Sequence, residues 1–570
     1  MRLGYRGLLE MCLEHAAIFM TVFFVFTIGS AVMLYPFLGQ DFFPSVDAGQ
    51  FKIHLRAHTG TRIEETARIC DEVDRTIREV IPKNEIESII DNIGLPYSGI
   101  NTTYSNSAAI GPADADIQVS LSENHHPTPA YVQKLRSVLA HRFPGVIFYE
   151  LPVDMVTQIL NFGLPAPIDV QIVGPNLDGN RAFAEQMLNR VKYVPGIADM
   201  RIQQPFDNPR LFVDVDRTKA QQVGLQQRDV AQSLLVATSG SFQTAPTFWL
   251  NPKTGVSYSI AVQSPQYDLD TLQDLKNIPL TGTGGNSASL ISNGAGTPPM
   301  PTNTPMGGPP IQILGNVASI TPGTEQGTQS HYNIAPVIDI YGNVVNSDLA
   351  SVDKGIEKII ADMKGKLPRG SQIVVRGQVE TMRTSFVGLI GGLVFSILLV
   401  YLLIVVNFQS WLDPFIVISA LPAALSGIIW FLFITHTRIS VPALTGAIMC
   451  MGVATSNSIL VISFAREQLE ETVGDAPGAA LAAGFTRFRP VLMTALAMII
   501  GMMPMALGLG DGGEQNAPLG RAVIGGLLFA TVSTLFFVPT FFSALHGRLE
   551  KNRRAKQNRL ENTLPETEEN

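Results

Sequence analysis

The chain has 570 residues, 46% of them hydrophobic and only 15% charged, with a mean hydropathy of +0.21. That balance fits a protein that is part membrane-embedded and part water-facing. A net charge of −8 gives no footing for nucleic-acid binding, and Cys12, Cys70 and Cys450 offer neither a disulfide framework nor a metal-ligand spacing.

Six stretches are apolar enough, over enough residues, to cross a bilayer: 16–38, 386–406, 414–435, 441–465, 490–509 and 521–545. The first is longer than a signal-peptide core, and Pro36-Phe37-Leu38-Gly39 is not a small-residue cleavage site. Lys and Arg cluster before the first stretch (Arg2, Arg6), between the fourth and fifth (Arg466, Arg487, Arg489) and after the sixth (Arg548, Lys551, Arg553). If each stretch crosses once, these lie on one side, which the positive-inside rule makes the cytoplasm. Residues 40–382 then lie outside, as does the Gly-rich acidic loop 508–521.

The outer region alternates strand and helix signals. Residues 51–56 alternate as a strand. Ile63, Ala67, Cys70, Val73, Ile77 and Val80 recur at helical spacing and stop at Pro82. Strands at 86–93 and 116–121, a helix at 129–143 and a strand at 146–150 complete a β-α-β-β-α-β order, the split βαβ or ferredoxin-like arrangement. A second such unit begins with a strand at 168–173, a helix at 178–193 and a strand at 198–203. Its other half comes much later: a strand at 336–341, a helix at 347–363 and a strand at 372–375. Residues 205–329 therefore read as an insertion, with strand, helix and strand signals at 211–216, 227–237 and 257–263. Within it, 281–310 is uncharged and rich in Gly, Pro, Ser and Thr, the composition of a flexible loop.

The long Gly- and Ser-rich segment 92–116 joins two strands. Tyr97 and Tyr104 within it are candidates for aromatic contact with a ligand, and the alternative is a mobile surface loop. The membrane stretch 441–465 carries no charge, yet holds Thr455, Ser456, Asn457 and Ser458 in succession. Polar groups at that depth need partners in protein or water. Helix–helix hydrogen bonding and a transport role both account for them. There is no Gly-x-x-x-x-Gly-Lys-Ser/Thr loop, so ATP-driven transport is disfavoured. No catalytic triad order, enzyme signature, cofactor motif or zinc motif stands out. His125-His126 reads as a solvated pair in a turn.

The order of one span, a large outer region and five spans resembles one repeat of the resistance–nodulation–division (RND) superfamily. Gly39-Gln40-Asp41-Phe42-Phe43-Pro44 resembles that family's step from first span to porter domain, and Asn407-Phe408-Gln409-Ser410-Trp411-Leu412-Asp413-Pro414 its loop between the second and third spans. Gly452-Val453-Ala454-Thr455-Ser456-Asn457-Ser458, Arg487-Phe488-Arg489-Pro490 opening the next helix, and Phe536-Phe537-Val538-Pro539 are similar to its remaining signatures. The likeness is strongest to the hydrophobic and amphiphilic drug-efflux branch, and to the C-terminal repeat.

That resemblance implies an α+β membrane protein: a first transmembrane helix (1–39), porter subdomains at 40–152 and at 166–204 with 332–378, a docking insertion at 205–329, a five-helix bundle (384–547) and a cytoplasmic tail (548–570). It implies a trimeric inner-membrane pump with a periplasmic domain that exports amphiphiles on the proton gradient, with an adaptor and an outer-membrane channel. Ser456, Asn457, Thr494 and Arg487 fall on the family's proton-relay positions. Ser456 stands where a lysine is expected, and no span interior carries Asp or Glu. Serine, asparagine and threonine do not titrate usefully. The carboxylates are therefore expected from an N-terminal repeat, on this or another polypeptide. The alternatives are an inactive or truncated half-pump, or a metal-exporting relative using Met155, Met187 and Met200.

Overall fold

The computed structural model describes residues 2–95, 111–243, 246–281, 312–472, 475–510 and 512–561. Two compact units emerge, one of Met1–Gln204 with Thr328–Asn570 and the other of Pro205–Gly327.

In the first unit, strand β1 (Gln50–Arg56) alternates apolar and polar residues, with His54 buried as well. Phe51, Ile53 and Leu55 enter a core with Cys70, Val73 and Ile77 of the helix Ile63–Val80, and with Val132, Leu135 and Leu139 of the helix Thr128–Arg142. Apolar residues three and four apart give each helix one buried face, and burial of that face is what holds it. Lys52, His54 and Arg56 point to the opposite face of the sheet. Strands β2 (Ile86–Ile93), β3 (Asp114–Leu121) and β4 (Ile147–Leu151) complete an antiparallel sheet in the order β2-β3-β1-β4.

A second sheet contains β5 (Ile168–Val173), β6 (Ile197–Ile202), β7 (Ser330–Tyr332), β8 (Ala335–Val344) and β9 (Gln372–Gly377). Its order is β7-β8-β5-β9, with β6 also paired to β8. Tyr341 faces Arg201 and Asn343 faces Ala198, so Asp199 and Met200 together oppose the single Gly342. This is a β-bulge, and Asp199 takes a positive φ of 54° within it.

The Pro205–Gly327 unit carries its own small core of Ala220, Leu225, Val230, Ile278, Leu280, Leu314 and Val317. Its longest pairing is Asn208–Val215 with Ala318–Glu325, antiparallel over eight positions. The expected flexible stretch falls almost wholly outside the described residues, as do Tyr97 and Tyr104.

Among the described residues, six helices are long and apolar enough to cross a membrane: Ala16–Phe37, Gln378–Phe408, Leu412–Ile434, Val441–Glu471, Ala476–Ala506 and Gly513–Lys551. Half or more of the apolar window is buried in the third, fourth and sixth, against about a tenth or less in the others. Glycines bring the inner helices together. A Cβ on Gly525 would stand 2.6 Å from the carbonyl oxygen of Gly427, so those two helices approach backbone to backbone.

Two expected boundaries are corrected. The fifth helix begins at Ala476, not at Arg487 or Pro490, and Pro490 lies inside it. The run Ala476-Pro477-Gly478-Ala479-Ala480-Leu481-Ala482-Ala483 is rich in alanine, the best helix former, and Asp475 caps it through the Gly478 N–H. The sixth helix starts at Gly513, which leaves only a short loop after Ala506 in place of the long one expected. An additional helix, Arg2–Glu14, precedes the first span and buries Tyr5 and Leu9 against the bundle.

Candidate functional site

The central helix Val441–Glu471 positions the polar patch. Thr455 and Ser458 are buried and donate back to their own helix, Thr455 to the Met451 carbonyl at 2.8 Å and Ser458 to the Ala454 carbonyl at 2.9 Å. This is the usual way a hydroxyl satisfies itself inside an apolar helix. Ser458 also lies 3.1 Å from the Thr534 hydroxyl, within a π-helical turn over Ser533–Phe537.

Asn457 is buried, and its side-chain oxygen accepts a 3.2 Å hydrogen bond from Thr494 on the helix Ala476–Ala506. Two of the four relay candidates thus meet directly. Ser456 points elsewhere: Met449, Gly452, Ser456 and Leu460 are all exposed at spacings of three and four residues, forming one stripe along the outside of the bundle. Arg487 lies seven residues before Thr494, about 10 Å along the helix axis. Its guanidinium sits 5.2 Å from the Phe464 ring centroid, and its Nε is buried without a hydrogen-bond partner.

Reading the sequence for charges inside spans overlooked a carboxylate at a span end. Asp413, in the first turn of a short helix Leu412–Ile418, is buried. Its two oxygens meet His546 Nε2 at 3.0 Å and Arg466 Nη1 at 3.3 Å, so three separate helices converge on it. The signal was the acidic residue at a helix start beside Pro414 and the arginine ending the central apolar run.

The opposite end of the bundle is tied to the second sheet's subdomain through the 39–44 motif. Asp41 accepts the Leu349 N–H at 2.8 Å and an Arg438 Nη1 hydrogen bond at 2.7 Å. Around it, Gln40 bridges to Ile439, and Val441 N–H bonds the Phe42 carbonyl at 3.2 Å. Asp348 caps the helix Leu349–Met363 and also accepts from Gln40 N–H. Burial raises the Asp348 carboxyl, but these backbone hydrogen bonds outweigh it and leave it below its ordinary value.

Above this junction lies a cavity of about 700 Å³. Its lining mixes apolar Phe42, Phe43, Val46, Pro152 and Leu160 with polar Arg136, Glu150, Asp154, Asn343 and Arg438. Asn161 lines it too, wholly buried, with both side-chain amide atoms unpartnered. Its volume falls within the range of small-molecule sites. Of the methionines, Met155 is 75% exposed while Met187 is wholly buried in the subdomain core. Among the described residues no group of three or more His, Cys, Asp or Glu is placed to hold a metal ion.

The profile of the AcrB/AcrD/AcrF family matches residues 1–546. The chain is 27% identical over 559 residues to Protein HelA of Legionella pneumophila, covering 96% of this chain and 49% of the relative. It is 28% identical over 555 residues to the cobalt-zinc-cadmium resistance protein CzcA of Cupriavidus metallidurans, covering 96% and 48%. With the multidrug resistance protein MdtC of Proteus mirabilis it shares 23% over 563 residues, covering 97% and 50%. The chain thus spans about half the length of the curated relatives it matches. A crystal structure of a heavy metal efflux pump superimposes with a TM-score of 0.77 at 21% identity, over 95% of this chain and 51% of that one. With the profile covering nearly the whole chain, this protein belongs to the AcrB/AcrD/AcrF family of RND efflux proteins.

Proposed function

We propose that this chain is one repeat of a proton-driven efflux permease of the bacterial inner membrane, the counterpart of the C-terminal repeat, acting with a second repeat that supplies the titrating carboxylates. The observation that carries this reading is the Asn457–Thr494 hydrogen bond beside the exposed Ser456 stripe. It is a neutral polar surface on an otherwise apolar helix, and a partner's acid could take hydrogen bonds from it where a lysine would supply charge. The two antiparallel sheets are the porter subdomains on the periplasmic side, and the Pro205–Gly327 unit is the docking part facing an adaptor and an outer-membrane channel. The working assembly is a trimer. The cargo is an amphiphilic small molecule collected in the cavity above the Asp41 junction.

Metal-cation export is the second reading, and the names of CzcA and of the heavy metal efflux pump favour it. Expression of the chain in a pump-deficient host, with and without a first repeat bearing intramembrane aspartates, separates the two. Dye efflux that collapses with the proton gradient supports the amphiphile reading. Resistance to cobalt, zinc or cadmium without dye efflux supports the metal reading. No transport in either arm removes both.

A further inference from the structure

Three buried side chains that each keep one hydrogen-bond donor unpartnered lie together where the two sheets meet. Arg201 of β6 is 5% exposed, and its Nη2 has no partner. Tyr149 of β4 is 2% exposed with an unpartnered hydroxyl, and Gln203 is 7% exposed with an unpartnered Nε2. The Arg201 guanidinium lies 3.5 Å from the Tyr149 ring centroid, and its Nε reaches the Gln203 Oε1 at 3.4 Å. Native proteins leave few buried polar groups unsatisfied, so three at one spot ask for a guest.

The charges around them decide what kind. Asp114 and Asp116 are engaged by Arg56, Lys52 and the two ring nitrogens of His54. Asp199 is held by both Nε and Nη2 of Arg136 at 2.8 Å. Among the described residues Arg201 makes no ion pair; its Nη1 donates to the Asp199 backbone carbonyl at 3.2 Å, and a second ring, Tyr341, lies 5.5 Å from its guanidinium. A buried cation in that position is unfavourable unless a negative group joins it. The His54 ring stacks on the far side of the same layer, 4.5 Å from Tyr149. No thiol or thioether is among these groups, so a soft metal finds no ligand in them.

We propose that Arg201, Tyr149 and Gln203 form a binding site for an anionic head group, a carboxylate, sulfonate or phosphate on an organic molecule. The site rests on the efflux reading only for its role as a cargo station. Asn343 and Glu150, which line the cavity, border Asp199, and Asp199 is two residues from Arg201 in the bulged strand. The unsatisfied donors thus adjoin the cavity lining, since Tyr149 precedes Glu150 in β4 and Asp199 accepts from both the Glu150 N–H and Asn343 Nδ2. Together they select a molecule with an apolar body and an acidic head.

The test uses the full chain in phosphatidylcholine nanodiscs and two probes that differ in head group, 1-naphthaleneacetate and 1-naphthylmethylammonium. The acetate is expected to bind at least ~10-fold tighter than the ammonium probe. Arg201→Met should lower acetate affinity by roughly 10- to 100-fold, the loss of a charge-assisted hydrogen bond, and leave the ammonium probe unmoved. Arg201→Lys should recover part of the affinity, and Tyr149→Phe should cost roughly 2- to 10-fold. Arg201→Met removes an unpaired buried charge, so its melting temperature should hold or rise, and this guards against a folding artefact. Equal binding of the two probes, or acetate binding indifferent to Arg201, overturns the proposal. Export without head-group preference leaves the efflux reading standing and removes this one. Arg201-dependent binding by a chain that exports nothing does the reverse.

Discussion

The hydroxyl of Tyr5 donates a 2.7 Å hydrogen bond to the carbonyl oxygen of Leu535, across the whole length of the sequence. Leu535 lies in the π-helical turn Ser533–Phe537, where backbone bonds close five residues on, as from the Val538 N–H to the Ser533 carbonyl. Tyr5 reaches this turn from the helix Arg2–Glu14, packed between Phe488 and Phe536. Tyr5→Phe keeps the packing and removes this buried hydrogen bond, an expected loss of about 0.5–1.5 kcal/mol. Thermal melting in detergent should show this, and an unchanged midpoint would mean water replaces the hydroxyl.

Gly525 has no room for a side chain, because its Cα faces the Gly427 carbonyl. Gly525→Val should push apart the helices Leu421–Ile434 and Gly513–Val532 and destabilise the bundle by about 1–3 kcal/mol. Gly452→Ala is the control, since nothing lies within 4 Å of its would-be Cβ. Equal membrane-fraction yields for both variants would contradict the close packing.

Burial, joined by the charge of Asp91, pushes the Asp74 carboxyl up to about 6. Its Oδ1 is buried without a partner. A folded-state value above the ordinary one means the protonated form suits the fold. This stabilisation is therefore present below about pH 4 and is lost as pH rises towards 6. Asp74→Asn should stabilise the first sheet's subdomain at pH 7.5 by of order 1 kcal/mol, after allowing for solvent screening at a half-buried site, and should bring no gain at pH 3.5. Hydrogen exchange of the β1 amides at both values reads this directly.

On the central helix, Asn457→Leu removes the acceptor for Thr494, which keeps its bond to the Val491 carbonyl. Ser456 is exposed on the outside of the helix. Ser456→Ala and Asn457→Leu should both lower export several-fold with the partner repeat present, while assembly, read by cross-linking, stays intact. Wild-type export by both variants would sink the idea of a neutral docking surface.

Much of this protein was legible in residue order. Alternation placed a strand at 51–56, and helical spacing placed Ile63–Val80, because apolar residues recur at the interval of one face. The six apolar stretches stood out for the same reason: lipid demands length and lack of charge. Helix ends were less legible. Pro490 reads as a start, yet the bundle absorbs it within a 31-residue helix.

What residue order could not decide was which side chains meet. Asn457 and Thr494 are 37 residues apart and in contact, while neighbouring Ser456 faces outward, a 100° turn of the helix away. Asp413 looked like a loop residue until His546 and Arg466 closed around it. Arg201 looked like any strand arginine. Only the packing of two sheets that are distant in sequence buries it without a carboxylate, because burial and partnership belong to the tertiary structure and not to the residue.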